Sequence, residues 1–224
     1  MAHPAIVSTA LLHNVPLFAG LDEDQLSLLV STVTRKNYGR GVTVIAAGDP
    51  TDSLYIVIGG RLKVLMSDTQ GREVILSILG PGEFFGEMGL LDDSPRSASV
   101  VTLESCELLC ISKSDFKRSL SENFDLSLIV MRGLVKRLRE ADQKIGSLAL
   151  MDVYGRVARL LLELAEDVDG EKVIAKKVSK QDIAKMIGAS REMVSRVMKD
   201  LQLSGHIEIR GRSIVLRDNI LLAE

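Results

Sequence analysis

The sequence has no tryptophan, two cysteines, three histidines and five prolines in 224 residues. Two cysteines cannot build a disulfide framework. They lie at Cys106 and Cys110, on an expected strand, about 13 Å apart at ~3.3 Å per residue, too far to bridge. Both are expected to be buried strand residues. No purely apolar run approaches the ~20 residues needed to cross a bilayer. Met1–Leu12 contains no Lys or Arg, so a secretory leader is not expected there. A cytoplasmic protein without a membrane partner is the expectation. There is no Gly-x-x-x-x-Gly-Lys loop, Cys-x-x-Cys pair or His-Glu-x-x-His helix. A catalytic role therefore has little support, and no metal is expected.

What the sequence does contain is unevenly distributed. Residues 1–112 hold 7 Lys and Arg against 13 Asp and Glu, whereas residues 113–224 hold 21 against 17. The stretch 172–217 has 11 basic and 4 acidic side chains, a net of +7. A basic segment in a near-neutral chain is the footprint of a nucleic-acid-binding module, or simply a solvated basic face.

Punctuation changes along the chain as well. Ten of the 18 glycines lie between Gly39 and Gly89, and no proline follows Pro95. Short apolar runs recur at Val42–Ile45, Leu54–Ile58, Leu62–Met66, Val74–Leu79, Ala98–Val101 and Leu108–Ile111. Gly59-Gly60 is a hairpin signal between two of them. Short strands with regular turns imply a small antiparallel roll.

From Glu122 to Leu150 the chain reads as one long helix. Met131, Leu134, Leu138, Ala141, Ile145 and Leu148 follow a 3.5-residue period, the seam of a coiled coil. A helix of this length serves a partner, and a dimer is expected. Asp152 then caps a helix over Val153–Glu166.

Two short helices follow. Ser179-Lys180-Gln181-Asp182 opens the first, Gly188 closes it, and Ser190 caps a second over Arg191–Leu201. Val194, Val197, Met198 and Leu201 should face inward, and Arg191, Glu192, Ser195, Arg196 and Lys199 outward. Arginine can pair with guanine O6 and N7, and glutamate can accept from cytosine N4. A hairpin over Ile207–Val215 follows, with Arg210 and Arg212 at a basic tip suited to phosphate. Together these elements have the pattern of a winged helix-turn-helix.

One segment carries small-molecule chemistry: Gly82-Glu83-Phe84-Phe85-Gly86-Glu87-Met88-Gly89, then Pro95-Arg96-Ser97-Ala98. Gly86 lets backbone N–H groups approach a ligand. Glu87 can accept from a ribose hydroxyl, Arg96 offers a planar fork to a phosphate, Ser97 adds a hydroxyl and Ala98 leaves room. An Arg near a Glu in a loop is more often a salt bridge, but the full arrangement is that of a phosphate-binding cassette.

On these residues the chain resembles the CRP/FNR family of bacterial transcription regulators over nearly its whole length. The carriers are Gly86-Glu87, Arg96-Ser97-Ala98, the long helix, Asp152-Val153-Tyr154-Gly155-Arg156 and Gly188-Ala189-Ser190-Arg191-Glu192-Met193-Val194-Ser195-Arg196. The resemblance implies an α+β chain in three parts: an antiparallel β-roll binding a cyclic nucleotide over 1–121, a long dimerisation helix over 122–151, and a winged helix-turn-helix over 152–224. It implies that Arg96 binds the cyclic phosphate and Glu87 the ribose, with Gly86, Met88, Ser97 and Ala98 beside them. Arg137 would couple the long helix to Glu87. Arg191, Glu192 and Arg196 would read bases in half-sites like TGTGA, and Ser190 would touch a phosphate. Ser179, Lys180, Ser195, Lys199, Arg210 and Arg212 complete the expected face toward double-stranded DNA. RNA polymerase is the further partner it implies, with Asp167–Glu171 as an exposed loop within reach.

One departure bears on the ligand. The family's founder contacts adenine through a Thr-Ser pair, and the matching positions here are Ala141 and Asp142. Ala141 makes no hydrogen bond, and an ionised Asp142 only accepts. It can accept a hydrogen bond from adenine N6–H, or pair with guanine N1–H and N2–H together, which is the better geometric match. The effector is therefore expected to be cyclic AMP or a guanine ligand such as cyclic di-GMP. The alternatives are a member gated by no nucleotide, or a regulatory cyclic-nucleotide module of an enzyme. An iron–sulfur sensor would need an N-terminal cysteine cluster, which the sequence lacks. His3, His13 and His206 are poor haem ligands by position.

Overall fold

The computed structural model describes residues 7–175, 178–211 and 213–217. It divides into two compact units, Met1–Arg137 and Leu138–Glu224. The division runs through the long helix.

The first unit begins with α1 (Thr9–His13), a 3₁₀ turn (Pro16–Phe18) and α2 (Glu23–Val30). A reciprocal capping box starts α2: the Asp22 carboxylate accepts from the Gln25 N–H, and the Gln25 side chain accepts from the Asp22 N–H. Eight strands follow: β1 (Val33–Tyr38), β2 (Thr43–Ile45), β3 (Ser53–Gly59), β4 (Leu62–Ser67), β5 (Glu73–Leu79), β6 (Phe84–Phe85), β7 (Ser99–Thr102) and β8 (Cys106–Ser112). They form two antiparallel four-stranded sheets, in the orders β1-β8-β3-β6 and β2-β7-β4-β5. A one-turn helix α3 (Met88–Leu91) lies between β6 and β7, and α4 (Lys113–Glu122) and α5 (Phe124–Leu150) follow β8.

The expected roll is present, and side-chain alternation explains it. Tyr55 and Val57 of β3 and Cys106, Leu108 and Cys110 of β8 turn into the roll, against Leu62, Leu79 and Val100 of the other sheet. Leu54 and Ile56 of β3, and Leu109 and Ile111 of β8, turn the other way. They pack under Leu12, Phe18, Leu26, Phe116, Leu126 and Val130 from the helices. These strands are thus covered on both faces, which is why they read as unbroken apolar runs. Burying each such aliphatic side chain stabilises the fold by about 1.5–3 kcal/mol. Gly60 turns the β3–β4 hairpin at φ +83, and a Cβ there would lie 2.4 Å from the Ser105 carbonyl oxygen.

One expectation needs adjustment here, and one strand has no counterpart among the expected runs. The long helix begins at Phe124, because Asn123 adopts extended backbone and its side chain accepts from the Leu126 N–H. The preceding residues belong to α4. Strand β1 carries Thr, Arg, Lys and Asn, and is recruited by pairing with β8 rather than by its own hydropathy.

The second unit contains α6 (Val153–Leu164), β9 (Glu166–Val168), β10 (Glu171–Ile174), α7 (Lys180–Ile187), α8 (Arg191–Leu203), β11 (Ile207–Arg210) and β12 (Ser213–Leu216). Its sheet has the order β11-β12-β10-β9. Asp152 caps α6 as expected, through the Gly155 N–H at 2.8 Å. The helix stops at Leu164 and not Glu166, because Glu166 pairs with Val173 and starts β9. Asp167–Glu171 is accordingly a tight hairpin and not a free loop, with Asp169 and Gly170 both at positive φ. Val157, Ala158 and Leu161 of α6 share one core with Ile183, Ala184 and Ile187 of α7 and Val194, Val197, Met198 and Leu201 of α8. The four α8 positions expected to face inward are all in it.

Candidate functional site

In the first unit, the chain from β6 into α3 and the approach to β7 bring Gly86, Glu87 and Arg96 together. Gly86 sits at φ +86. The Arg96 guanidinium donates to the Gly86 carbonyl at 2.8 Å and the Ser53 carbonyl at 2.7 Å, and pairs with Asp52 at 3.4 Å. These contacts engage three of its five donors and leave two for an anion among the described residues. Arg96 is only 5% exposed. A Cβ on Gly86 would lie 2.4 Å from Arg96 Nη1 and 3.1 Å from the Ser53 carbonyl oxygen. Gly86→Ala should therefore fail twice, through backbone strain and through displacement of Arg96. The expected result is loss of nucleotide binding by calorimetry together with a lowered melting temperature.

Glu87 is 1% exposed. Its Oε1 accepts from Arg137 Nη1 of α5, and Arg137 Nη2 donates to the Phe84 carbonyl. The Arg137 guanidinium also lies over the Phe84 ring, 5.2 Å from its centroid. Glu87 Oε2 is buried and has no hydrogen-bond partner among the described residues. A buried carboxylate oxygen without a donor is costly and rare in a folded protein. It is what a site built to receive a hydroxyl would present.

Gly133, one turn before Arg137 on α5, makes this approach possible. A Cβ there would lie 2.8 Å from Phe84 Cζ. Gly133 is a site residue that the motifs do not name, although its position carries a signal: a glycine inside a helix costs about 1 kcal/mol, and close packing is the usual reason for one.

The rest of the cassette is placed less directly. Ser97 is exposed, with its hydroxyl 3.8 Å from the Met88 sulfur, and Ala98 is buried. Met88 is half exposed. Asp93, at φ +57, ties the cassette loop to α4 through Lys113 at 2.7 Å and Lys117 at 2.8 Å. Hydrogen bonds from those lysines lower its carboxyl from 3.8 to about 2. The tie is thus complete above the ordinary carboxylate range, and is lost as pH falls through about 2. Burial pushes the Cys106 thiol up, which leaves it unreactive at neutral pH.

Along α5, Met131, Leu138, Ile145 and Leu148 of the expected seam are all about half exposed or more, reaching 62% at Leu138 and 65% at Ile145, whereas Leu134 packs against the core of the first unit. Ala141 and Asp142 are exposed on the same helix. A row of exposed apolar side chains at heptad spacing is the surface that a second helix covers.

In the second unit, Ser179 caps α7 through the Asp182 N–H, and Ser190 caps α8 through the Met193 N–H. Gly188 ends α7 in the left-handed region at φ +64. The two caps and this turn fix the angle between the helices. Arg191, Glu192, Arg196 and Lys199 are exposed and Ser195 is half-buried, with its hydroxyl 3.1 Å from Lys180 Nζ. Hydrogen bonding to its own backbone N–H, then to the Ser190 hydroxyl, holds the Glu192 carboxyl low. It is therefore an acceptor at neutral pH. Arg210 lies at the end of β11 with its guanidinium on two carboxylates, Glu171 and Glu208. Arg212 lies outside the described residues. Among the described residues, no group of three or more His, Cys, Asp or Glu is placed to hold a metal ion. No helix among them is long and apolar enough to cross a membrane.

Comparison with known proteins places both units. The cyclic nucleotide-binding domain model matches residues 35–123, and the Crp-like helix-turn-helix domain model matches residues 155–224. A CRP-like cAMP-activated global transcriptional regulator of Mycobacterium tuberculosis is 31% identical, over 92% of this chain and 94% of its own. The cAMP-activated global transcriptional regulator Vfr of Pseudomonas aeruginosa is 35% identical, over 85% of this chain and 92% of its own. Among solved structures, the c-di-GMP responsive global regulator CLP of Xanthomonas campestris is similar with a TM-score of 0.75. It is 32% identical, over 87% of this chain and 99% of that one.

Proposed function

Because the chain belongs to the CRP/FNR family of transcription regulators, we propose that it binds a cyclic nucleotide at Glu87 and Arg96 and reads DNA through α8 as a homodimer. The protein is a ligand-gated, DNA-binding transcription regulator. The observation that carries the ligand assignment is Glu87 Oε2, a buried acceptor with no donor among the described residues. A ribose 2′-hydroxyl supplies the missing donor, and the two remaining Arg96 donors suit the cyclic phosphate. Gly86, Met88, Ser97 and Ala98 surround these two contacts.

Gating follows from Arg137. Its guanidinium holds Glu87 and the Phe84 carbonyl, so a ligand hydroxyl on Glu87 acts on a carboxylate already fastened to α5. A ligand that favours one placement of α5 shifts the population of DNA-binding dimers. The exposed heptad row from Met131 to Leu148 supports pairing of two such helices. In that dimer the recognition helices would meet major grooves about 34 Å apart on a palindrome of TGTGA-like half-sites. Ser190 and Lys180 would meet phosphates, with Ser179, Ser195 and Lys199 beside them. Transcription control brings RNA polymerase as a further partner and the cytoplasm as the location.

Cyclic AMP is the effector named for several relatives, and the cyclic di-GMP regulator is as similar. The second reading, a guanine ligand, is favoured by Asp142, whose acceptor-only chemistry suits guanine N1–H and N2–H, beside an Ala141 that makes no hydrogen bond. Calorimetric titration of the purified protein with each ligand separates the two. Binding of cyclic AMP alone assigns that effector, and binding of cyclic di-GMP alone assigns the guanine reading. Binding of neither overturns the ligand-gated assignment.

A further inference from the structure

The second unit carries a closed ring of charge on its sheet. Arg210 Nη1 and Nη2 donate to the two carboxylate oxygens of Glu171, at 2.7 and 3.3 Å. Arg210 Nε and Nη2 donate to those of Glu208, at 2.8 and 3.0 Å. Arg217 closes the ring, with Nη1 on Glu171 at 3.3 Å and Nη2 on Glu208 at 2.5 Å. Strand register brings the four together: Glu208 and Arg210 are two apart on β11, Arg217 follows β12, and Glu171 opens β10.

Isolated exposed ion pairs contribute little, but a network of forked arginine contacts is the exception. Hydrogen bonds from Arg210 lower both glutamate carboxyls, and they in turn push the arginine up. Two arginines and two glutamates cancel. Two of the eleven basic residues in 172–217 are thus neutralised, Arg210 in the hairpin expected to lie on phosphate and Arg217 just past its second strand.

We propose that Glu171 and Glu208 form an acidic clamp that withholds Arg210 and Arg217 from nucleic-acid phosphate. Sequence selection is thereby left to α8. The clamp rests on the DNA-binding reading above and adds to it a device against indiscriminate binding. Phosphate contacts supply affinity without sequence information, so removing two of them lowers background binding while sparing base readout.

The test compares Glu171→Gln/Glu208→Gln with a charge-matched control on the neighbouring strand, Glu166→Gln/Asp167→Asn, in the full chain. The clamp variant should elute from immobilised heparin at distinctly higher salt than the control. On a non-operator duplex its log K should fall more steeply with log salt, by about 0.9 for each phosphate gained. Adding Arg210→Ala and Arg217→Ala to the clamp variant should abolish both changes. Equal elution of the two double variants overturns the clamp, as does a gain that survives removal of both arginines. A thermal melt checks the fold. Should the double variant be unfolded, Glu171→Gln alone carries the same comparison at half the shift. Failure of the DNA-binding reading registers separately, as no preference of the native protein for an operator palindrome over other duplexes, whereas the heparin comparison needs no operator.

Discussion

Replacing Arg191 and Arg196 with alanine should weaken operator binding by about 30- to 10⁴-fold per half-site. Each good arginine–base pair discriminates by about 1–3 kcal/mol, and a factor of ten corresponds to about 1.4 kcal/mol. Both side chains are exposed on α8, and neither takes part in the core formed by Val194, Val197, Met198 and Leu201. The fold should accordingly be unchanged, with the same melting temperature. Binding to non-operator DNA should fall less, because there only the charge of the two arginines is lost and not their base contacts. Competition of labelled operator against both kinds of duplex gives the two numbers. Unchanged operator affinity would remove the reading of α8 as the recognition helix and restore the alternative, a cyclic-nucleotide module that regulates an enzyme.

Glu87→Gln is the second large effect. The substitution keeps the side-chain volume while removing the charge that Arg137 engages and that the proposed ribose hydroxyl would share. Hydrogen bonds to charged groups contribute about 1.5–3 kcal/mol, so nucleotide affinity should fall roughly 10- to 100-fold. Stability should change little, because Arg137 is a third exposed and can turn to water. Arg96→Ala makes an instructive contrast. On the sequence alone it is expected to abolish binding with the fold intact. The structure alters that expectation, because Arg96 braces the Gly86 and Ser53 carbonyls from a nearly buried position. Its loss should cost stability as well, by about 1–3 kcal/mol for an acceptor left buried and unpaired. Calorimetric affinity and a melting curve on both variants separate the two roles. Equal affinity of Glu87→Gln and the native protein would remove the ribose assignment.

The elements legible in the sequence were those whose signals are local. Caps at Asp152, Ser179 and Ser190 and the left-handed Gly188 carry their own chemistry, and each stands where the sequence places it. So do the apolar runs of β3, β4, β5 and β8. Strand β1 and the two-residue β6 were not legible, because partner strands hold them and their composition does not. In the cassette, residue types pointed to Glu87 and Arg96. The partners that orient them are 43 and 50 residues away in the chain, at Ser53 and Arg137, and no spacing rule connects them. The wing illustrates the same limit. Counting charges over 172–217 excludes Glu171, the residue that cancels much of the hairpin's charge.

The double engagement of Arg96 has a consequence for descent. An arginine that braces two backbone carbonyls is maintained by selection for folding, whether or not a nucleotide is still sensed. A lineage that abandons its effector would keep Arg96 long afterward. Glu87 is under the opposite pressure. Its lone buried oxygen is a liability without a ligand, so drift would replace it early. In this chain the arginine therefore answers to two demands, the fold and the ligand, and the free oxygen of the glutamate to one.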